Sequence, residues 1–465
     1  MIDAPAGAGK SFTQCAIAAH IRAQRKVVLC TASSGIAALI LPRGLTAHST
    51  FRLPFGDKSV EGSVCNVPAE SERAQVLKQA CLIVWDEIVM SGKYSPEALD
   101  LTLKDLMHND KPFGGKCVLM SGDWRQVGPV LKFGTPSEVV EHAFLSSRLW
   151  QHVHRFRLTK SMRDKDDLPY AKTVLVIGEG AIRPIELEDG SEVIPLSHTV
   201  TNDDDTQTTC SIVGITGFED LVNTIYPDLL SVNHSAYNDR GILAPTNENI
   251  EILLRSNNYI LEKMPGDSHR LLSNDKIVTD DQNMPDVVSV EYLNEVDVPG
   301  TPPHKLHLKL GSLISFIRNT RSINFDSGLV NGRKGVIRGI SRHVLDIKVI
   351  ADGSPLVKVP RTCFEVQVGG RGIAFHRMQF PVRSCHAMTI NKSQGQTLKH
   401  VGLDLRGDVF CHGQRYVAVS RTTSRNNIIC LVRPERLLDG IPHVHNVVYV
   451  PRICPSSRRA PTFFQ

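Results

Sequence analysis

No stretch of this chain approaches the ~18–20 consecutive apolar residues that a membrane-spanning helix needs. The first residues, Met1-Ile2-Asp3-Ala4-Pro5, carry neither a basic segment nor a long apolar run, so no secretory signal peptide is legible. The 11 cysteines are odd in number and never spaced Cys-x-x-Cys, which suits neither a disulfide framework nor a zinc site. They read as reduced, mostly core thiols of a cytosolic, nuclear or organelle-interior protein. Internal repeats and extended low-complexity segments are missing as well. A large excess of one charge is also lacking: 53 Lys and Arg stand against 48 Asp and Glu, a net charge of +5. The distribution is uneven, with fifteen Lys and Arg against five Asp and Glu over residues 361–465 and an acidic knot at Asp203-Asp204-Asp205. A basic C-terminal third is what a polyanion-binding surface needs, and equally what a solvated basic face would show.

What is present is the composition of a globular protein. The 465 residues, 41% hydrophobic and 22% charged, are enough for roughly two to four domains. Residues 1–150 alternate short apolar runs with helical patterns, the sequence form of a parallel α/β sheet. Val27–Cys30, Cys81–Trp85 and Cys117–Met120 read as buried strands, and Ser11–Gln24 and Ser95–Met107 as helices. The second helix begins with Ser95 as N-cap, Pro96 at the first helical position and Glu97 near the positive dipole end. Residues 180–235 are polar, rich in Asp and Thr, and read as an insertion carrying long loops. A strand over 241–246 leads into a helix at about 247–262. Over 306–380 the pattern changes to short alternating strands, Leu313–Ile317, Gly335–Ile340, Val344–Ile350 and Cys363–Val368, which suits a small β-barrel. The α/β pattern resumes after about 384.

Three signals carry chemistry. Ala4-Pro5-Ala6-Gly7-Ala8-Gly9-Lys10-Ser11 is a glycine-containing loop entering a helix, so backbone N–H groups and the helix N-terminus face phosphate oxygens. Ala6, Gly7, Ala8 and Gly9 would supply the cradle, Lys10 would reach the β/γ-phosphates, and Ser11 would ligate Mg²⁺. Ala4 stands where the G-x-x-x-x-G-K-[ST] pattern has glycine. About 75 residues on, an apolar strand ends in Asp86-Glu87, where Asp86 would hold the Mg²⁺ shell and Glu87 would polarise the attacking water. A third apolar strand ends in Ser121-Gly122-Asp123-Trp124-Arg125-Gln126, and Gln126 suits hydrogen bonding to the γ-phosphate or to the water. Three strand tips of one parallel sheet then meet at one crevice, as the carboxyl-end rule expects.

These residues resemble a known family. Thr31–Ala38, Gly44–Phe51, Val84–Glu87, Phe113–Lys116, Gly122–Gln126 and Leu158–Arg163 look like successive motifs of superfamily-one DNA helicases. So do Leu243–Asn247, Gly328–Gly332, Ala387–Thr397 and Gly413–Arg421. The match is closest to the Pif (petite integration frequency) helicases, in the branch found in Helitron transposons, and spans positions 4 to 421 in the family's order. The resemblance implies two RecA-like P-loop NTPase domains with a small SH3-like β-barrel insertion in the second. The first would be 1–157, the second 158–305 with 385–465, and the insertion 306–384. It implies an ATP-dependent DNA helicase or translocase of 5′-to-3′ polarity that uses Mg²⁺. Single-stranded DNA and duplex junctions would be its partners, with no membrane partner and a monomeric or weakly self-associating chain in the nucleus or mitochondrion.

By the same resemblance Lys10, Ser11, Asp86, Glu87 and Gln126 line the first domain's face. Arg163 and Arg421 match the family's two arginines that approach the γ-phosphate. The nucleic-acid track takes Thr31, Ser33, Ser34, His48, Ser49, Phe51, His386, Lys392, Ser393, Gln394 and Thr397. Phe51 or His48 could stack on a base, although core packing is as good a reading of Phe51. The departures are Ala4 for glycine, Ser11 for threonine and Gly128 for leucine. The family's upstream glutamine motif, which reads adenine, has no counterpart, so the chain reads as truncated at its start. Two rivals remain. Another P-loop NTPase, such as a nucleotide kinase or switch GTPase, has no need of the second-half motifs ending in Arg421. A decayed transposon remnant would bind DNA with little ATP turnover, against which the intact Lys10, Asp86, Glu87, Gln126, Arg163 and Arg421 argue.

Overall fold

The structure, a computed structural model, describes residues 1–449 except 55, 132–133, 163–165, 202–205, 228, 230–236, 246–249, 278–288, 299, 323–324, 351–352 and 369–372. Arg163, the Asp203–Asp205 knot and the Thr246-Asn247 end of one motif therefore lie outside the described residues. The chain forms two compact units, one of residues 1–216, 393–397 and 403 onward, the other of 217–392 and 398–402.

The first unit opens with β1 (Ile2–Asp3), α1 (Lys10–Ala23), β2 (Val27–Ala32), α2 (Gly35–Ile40), β3 (Leu45–Thr46) and α3 (Ala47–Phe51). It continues with α4 (Glu72–Gln79), β4 (Ala80–Asp86), α5 (Tyr94–Met107), β5 (Cys117–Gly122), α6 (Pro136–His142), β6 (Phe156–Arg157) and α7 (Leu168–Glu179). The six strands make one parallel sheet in the order β3-β2-β4-β5-β1-β6. Both faces are covered, which is why its central strands are continuous apolar runs. Ile83 and Trp85 face a core with Phe51, Leu99, Leu103 and Phe144, while Leu82 and Val84 face Ala18, Val28 and Cys30. This is a RecA-like α/β sheet, with β1 placed between β5 and β6.

Two expectations need correction. Helix α5 starts at Tyr94 with Lys93 at the cap, so Ser95 is not the N-cap; Ser95, Pro96 and Glu97 form the first turn. Proline is tolerated there because those N–H groups have no intrahelical partner. Glu97 instead accepts a hydrogen bond from the Ser147 hydroxyl at 2.6 Å. The polar stretch after α7 is not a set of long loops. It holds strands Ile185–Glu186, Glu192–Pro195, Ser197–Thr201, Gln207–Ser211 and Val213–Ile215. Ser197–Thr201 and Gln207–Ser211 pair antiparallel, with Val200 and Cys210 buried and the Thr199 and Thr209 hydroxyls bonded at 3.0 Å. One polar face hides the strand period when threonine supplies it.

In the second unit, Arg240–Ala244 runs parallel to Ala387–Thr389. The Asn257 amide exchanges two hydrogen bonds with the Ala387 backbone, at 2.9 and 3.0 Å. A five-stranded antiparallel sheet follows, with the expected strands at Leu313–Phe316, Lys334–Ile340 and Val344–Val349 joined by Leu356–Pro360 and Val382–Ser384. Phe316, Ile337, Leu345, Ile347 and Phe380 form its core. Beside it, Arg377 is fully buried, chelates both Asp275 oxygens, and donates to the carbonyls of Leu293, Val296 and Pro302. Among the described residues no helix is long and apolar enough to cross a membrane.

Candidate active site

The carboxyl ends of β1, β4 and β5 meet in the first unit, and every strand tip carries a functional group. After β1, Gly7 and Gly9 take positive φ (78° and 88°), which glycine alone adopts cheaply. Gly9 caps α1, so the loop enters the helix as a phosphate cradle must. Ala4 has no positive φ, and its methyl is buried with Ile2 and Ala8, which explains why alanine serves where the pattern has glycine. Lys10 is buried and donates to the carbonyls of Ala4 (2.8 Å) and Pro5 (3.3 Å), holding its ammonium over the loop. Ser11 follows, half-buried.

At the tip of β4, Asp86 accepts from the Glu87 N–H (3.0 Å) and from the Ser121 hydroxyl on β5. Ser121 in turn accepts from Gln14 of α1, so the rotor of its hydroxyl is set from both sides. Glu87 adopts a left-handed backbone conformation (φ 53°) and is buried. Burial pushes its carboxyl up to about 7; Asp86 and Asp123 push the same way, and Lys10 and Arg421 oppose them. A carboxyl poised there can take a proton near neutral pH. Glu87 Oε2 and Gln126 Oε1 are both buried without a hydrogen-bond partner among the described residues.

Arg421 reaches the same cluster. It is buried two residues beyond the helix Gln414–Val419 and donates to the carbonyls of Val417 (2.8 Å), Ser393 (3.2 Å) and Gln396 (2.9 Å). Arg163 is not described, but the N–H of Met162 before it donates to the Gly7 carbonyl of the phosphate loop at 2.9 Å. The hard oxygen donors Ser11 and Asp86 suit Mg²⁺, which typically binds through one or two protein oxygens plus substrate phosphates. Among the described residues no group of three or more His, Cys, Asp or Glu is placed to hold a metal ion.

Residues 2–184 match the family described as PIF1-like helicase, and residues 291–340 match the DNA helicase Pif1 2B domain. The chain belongs to the PIF1-like helicase family. It is similar to the ATP-dependent DNA helicase Pif1 of Campylobacter jejuni, 25% identical over 442 residues, covering 91% of this chain and 86% of that one. The human ATP-dependent DNA helicase PIF1 is 26% identical over 424 residues. That alignment covers 90% of this chain and only 56% of the human protein, so the chain spans little more than half of that relative. In fold it is similar to Bacteroides Pif1 bound to single-stranded DNA, with TM-score 0.63, 21% identity and coverage of 92% and 87%. The Candida albicans Pif1 helicase gives 0.61, 23%, 92% and 90%.

Within this PIF1-like frame the expected nucleic-acid residues separate by burial. Ser49 and Thr397 are exposed, Lys392 is exposed on the second unit, and Ser33, Ser34 and His48 are half-buried. Ser34 caps α2, accepting from the Ala37 N–H. The others on that track are buried. Thr31 is fully buried and donates its hydroxyl to the Val84 carbonyl at 2.7 Å. Phe51 is fully buried with its ring 5.4 Å from that of Trp85, so the core reading holds. Ser393 and Gln394 are buried, and His386 lies inside the second unit, where its Nε2 accepts from the Leu313 N–H.

Sequence reasoning missed the residues that join these parts. Asp123 is fully buried and accepts from Arg125, Gln126 and Tyr416. His412 bonds the Trp124 carbonyl at 2.8 Å and accepts the Tyr449 N–H at 3.1 Å, which places its proton on Nε2. Gly413 abuts the backbone of Arg125 and Gln126 so closely that a Cβ would lie 2.4 Å from the Arg125 carbonyl oxygen. A polar residue between strand and helix was the available signal for Asp123.

Proposed function

We propose that this chain is an ATP-dependent DNA helicase that couples ATP hydrolysis to 5′-to-3′ movement on single-stranded DNA and to unwinding at duplex junctions. The observation carrying this reading is the assembly of Lys10, Asp86, Glu87, Gln126 and Arg421 in one unit of a PIF1-like chain. Lys10 and the loop N–H groups neutralise phosphate charge, and Ser11 and Asp86 hold Mg²⁺, which draws further charge from the phosphates when bound. Glu87 accepts the proton of the attacking water, and Arg421, with Arg163, stabilises charge that develops as the γ-phosphoryl leaves. The intact chemistry favours turnover over the decayed-remnant alternative.

Arg421 also leans on the carbonyls of Ser393 and Gln396, next to Lys392 and Thr397. A loop that meets DNA phosphates and also seats the arginine gives DNA a handle on hydrolysis. We take Ser33, Ser34, His48, Ser49, Lys392 and Thr397 as the backbone-tracking set. The domain assignment follows the family: 1–157 and 158–305 with 385–465 as the two RecA-like domains, and 306–384 as an SH3-like insertion. A Helitron-type origin, action in repair, recombination, telomere maintenance or transposition, and nuclear or mitochondrial residence complete the proposal. ATP hydrolysis measured with and without single-stranded DNA, and strand separation on a forked duplex, test it. Stimulation by DNA with unwinding from a 5′ tail is the expected result; ATP turnover indifferent to DNA would sink the reading.

A further inference from the structure

The hydrogen bonds around Asp123 decide which end of the Gln126 amide faces the nucleotide. Asp123 receives the Arg125 N–H (3.2 Å) and Nη1 (3.3 Å) on one oxygen. Its other oxygen receives Gln126 Nε2 (3.3 Å) and the Tyr416 hydroxyl (2.6 Å). A carboxylate only accepts, so Gln126 must turn its NH₂ toward Asp123. The amide oxygen is then left as a buried acceptor without a partner among the described residues. Two acceptors repel, so this oxygen cannot serve a phosphate oxygen. It can receive the O–H of a water.

The Tyr416 proton is fixed by the same logic. Its hydroxyl donates to Asp123, so its oxygen accepts the Ala6 N–H of the phosphate loop at 3.0 Å. Burial and the Asp123 carboxylate keep the phenol protonated. The ring is buried against Gly178 of α7. His412 and Gly413, pressed on the Trp124–Gln126 backbone, pin the start of the same helix.

We propose that Tyr416 is a positioning residue for hydrolysis: through Asp123 it fixes the Gln126 amide with its oxygen toward the attacking water, and through Ala6 it ties that arrangement to the phosphate loop. The inference rests on the ATP-hydrolysing reading above. It assigns the Gln126 amide oxygen to the water and leaves the second Nε2 hydrogen as a donor for a phosphate oxygen.

Tyr416→Phe keeps the ring and removes the O–H. DNA-stimulated kcat should fall about 10- to 100-fold, the cost of a reacting group loosely placed. KM for ATP should stay within about 3-fold, because Lys10 and the loop N–H groups other than that of Ala6 keep their ground-state contacts. In a Gln126→Ala background the same substitution should cost nothing more in kcat, since it acts through Gln126. Asp123→Asn gives a second route to the same non-additivity, and thermal melts verify that each variant folds. An equal kcat loss in both backgrounds, or a raised KM at unchanged kcat, would overturn the assignment and leave the hydroxyl a packing group. A wild-type chain that hydrolyses no ATP, measured first, removes the helicase reading and this inference together; a DNA-stimulated wild type with additive variants removes the inference alone.

Discussion

Glu87 is held in two unfavourable ways. Its left-handed backbone costs on the order of 1–2 kcal/mol for a residue with a Cβ. Burial also raises its carboxyl from an ordinary 4.5 to about 7. The folded state thus favours the protonated acid. Stability from this group is fully present below the unfolded value and is lost as pH rises through about 7. The proposed role of Glu87 as proton acceptor needs the opposite form, the ionised base. Wild-type kcat/KM for ATP should accordingly rise with pH, with a midpoint near 7. Glu87→Gln should lower kcat by at least ~10²-fold while ATP still binds, because Lys10 and the loop amides are intact. The variant should also melt above the wild type at about pH 8 but level with it at about pH 5, where Glu87 is already neutral. Pairing the pH profile with melts at both values checks the sign. A flat profile between about pH 6 and 8 would mean that another group takes the proton.

Among elements, α7 and the helix Gln414–Val419 meet where glycine leaves no room for more. A Cβ on Gly178 would lie 2.6 Å from Tyr416 Cδ2 and 3.1 Å from Arg125 Cδ. Alanine favours an exposed helix interior by ~1 kcal/mol, but overpacking typically costs 1–3 kcal/mol. The clash wins, so Gly178→Ala should lower Tm by a few degrees and displace the Tyr416 ring, reducing kcat more than KM. A Gly178→Ala enzyme with wild-type kcat would show that the ring has slack. This contact also marks the limit of what the sequence reveals. The strands β2, β4 and β5 were legible because a doubly covered parallel sheet writes continuous apolar runs; the tips of β4 and β5 flag Asp86 and Gln126, and the glycine loop after the short β1 flags Lys10. The Ser197–Ser211 hairpin was not, since threonine serves both its polar face and its strand propensity. Motif position also says nothing of side-chain direction, so Thr31 read as a nucleic-acid contact and Phe51 equally as a base stacker or a core group, and the chain turns both inward. Asp123 and Tyr416, 293 residues apart, are neighbours only through tertiary packing.

For the whole molecule, the excess of cations in the C-terminal third overstates its pull on a polyanion. Arg377 is buried on Asp275, and Arg383, Lys399, Arg406, Arg425 and Arg436 pair with Asp297, Asp239, Asp404, Asp167 and Asp408. Arg421 is buried on the carbonyls of Val417, Ser393 and Gln396, and the Nε and Nη1 of buried Arg415 have no partner among the described residues. Much of this charge therefore holds the fold together and is not free to displace counterions from DNA. Lys392 is exposed, and the hydroxyls and amides of the track contribute no ionic term. Each phosphate neutralised on a single strand contributes about −0.7 to the slope of log K against log salt. Three or four such contacts predict a slope of about −2 to −3, shallower than a count of Lys and Arg suggests. Lys392→Ala should weaken binding on every sequence alike and reduce the slope by about 0.7, whereas Arg377→Met should leave the slope unchanged and lower Tm. Fluorescence anisotropy of labelled homopolymers across a salt series measures both. A slope steeper than about −5 would show that the pairs around the Asp residues open on DNA and that their arginines turn to the phosphates.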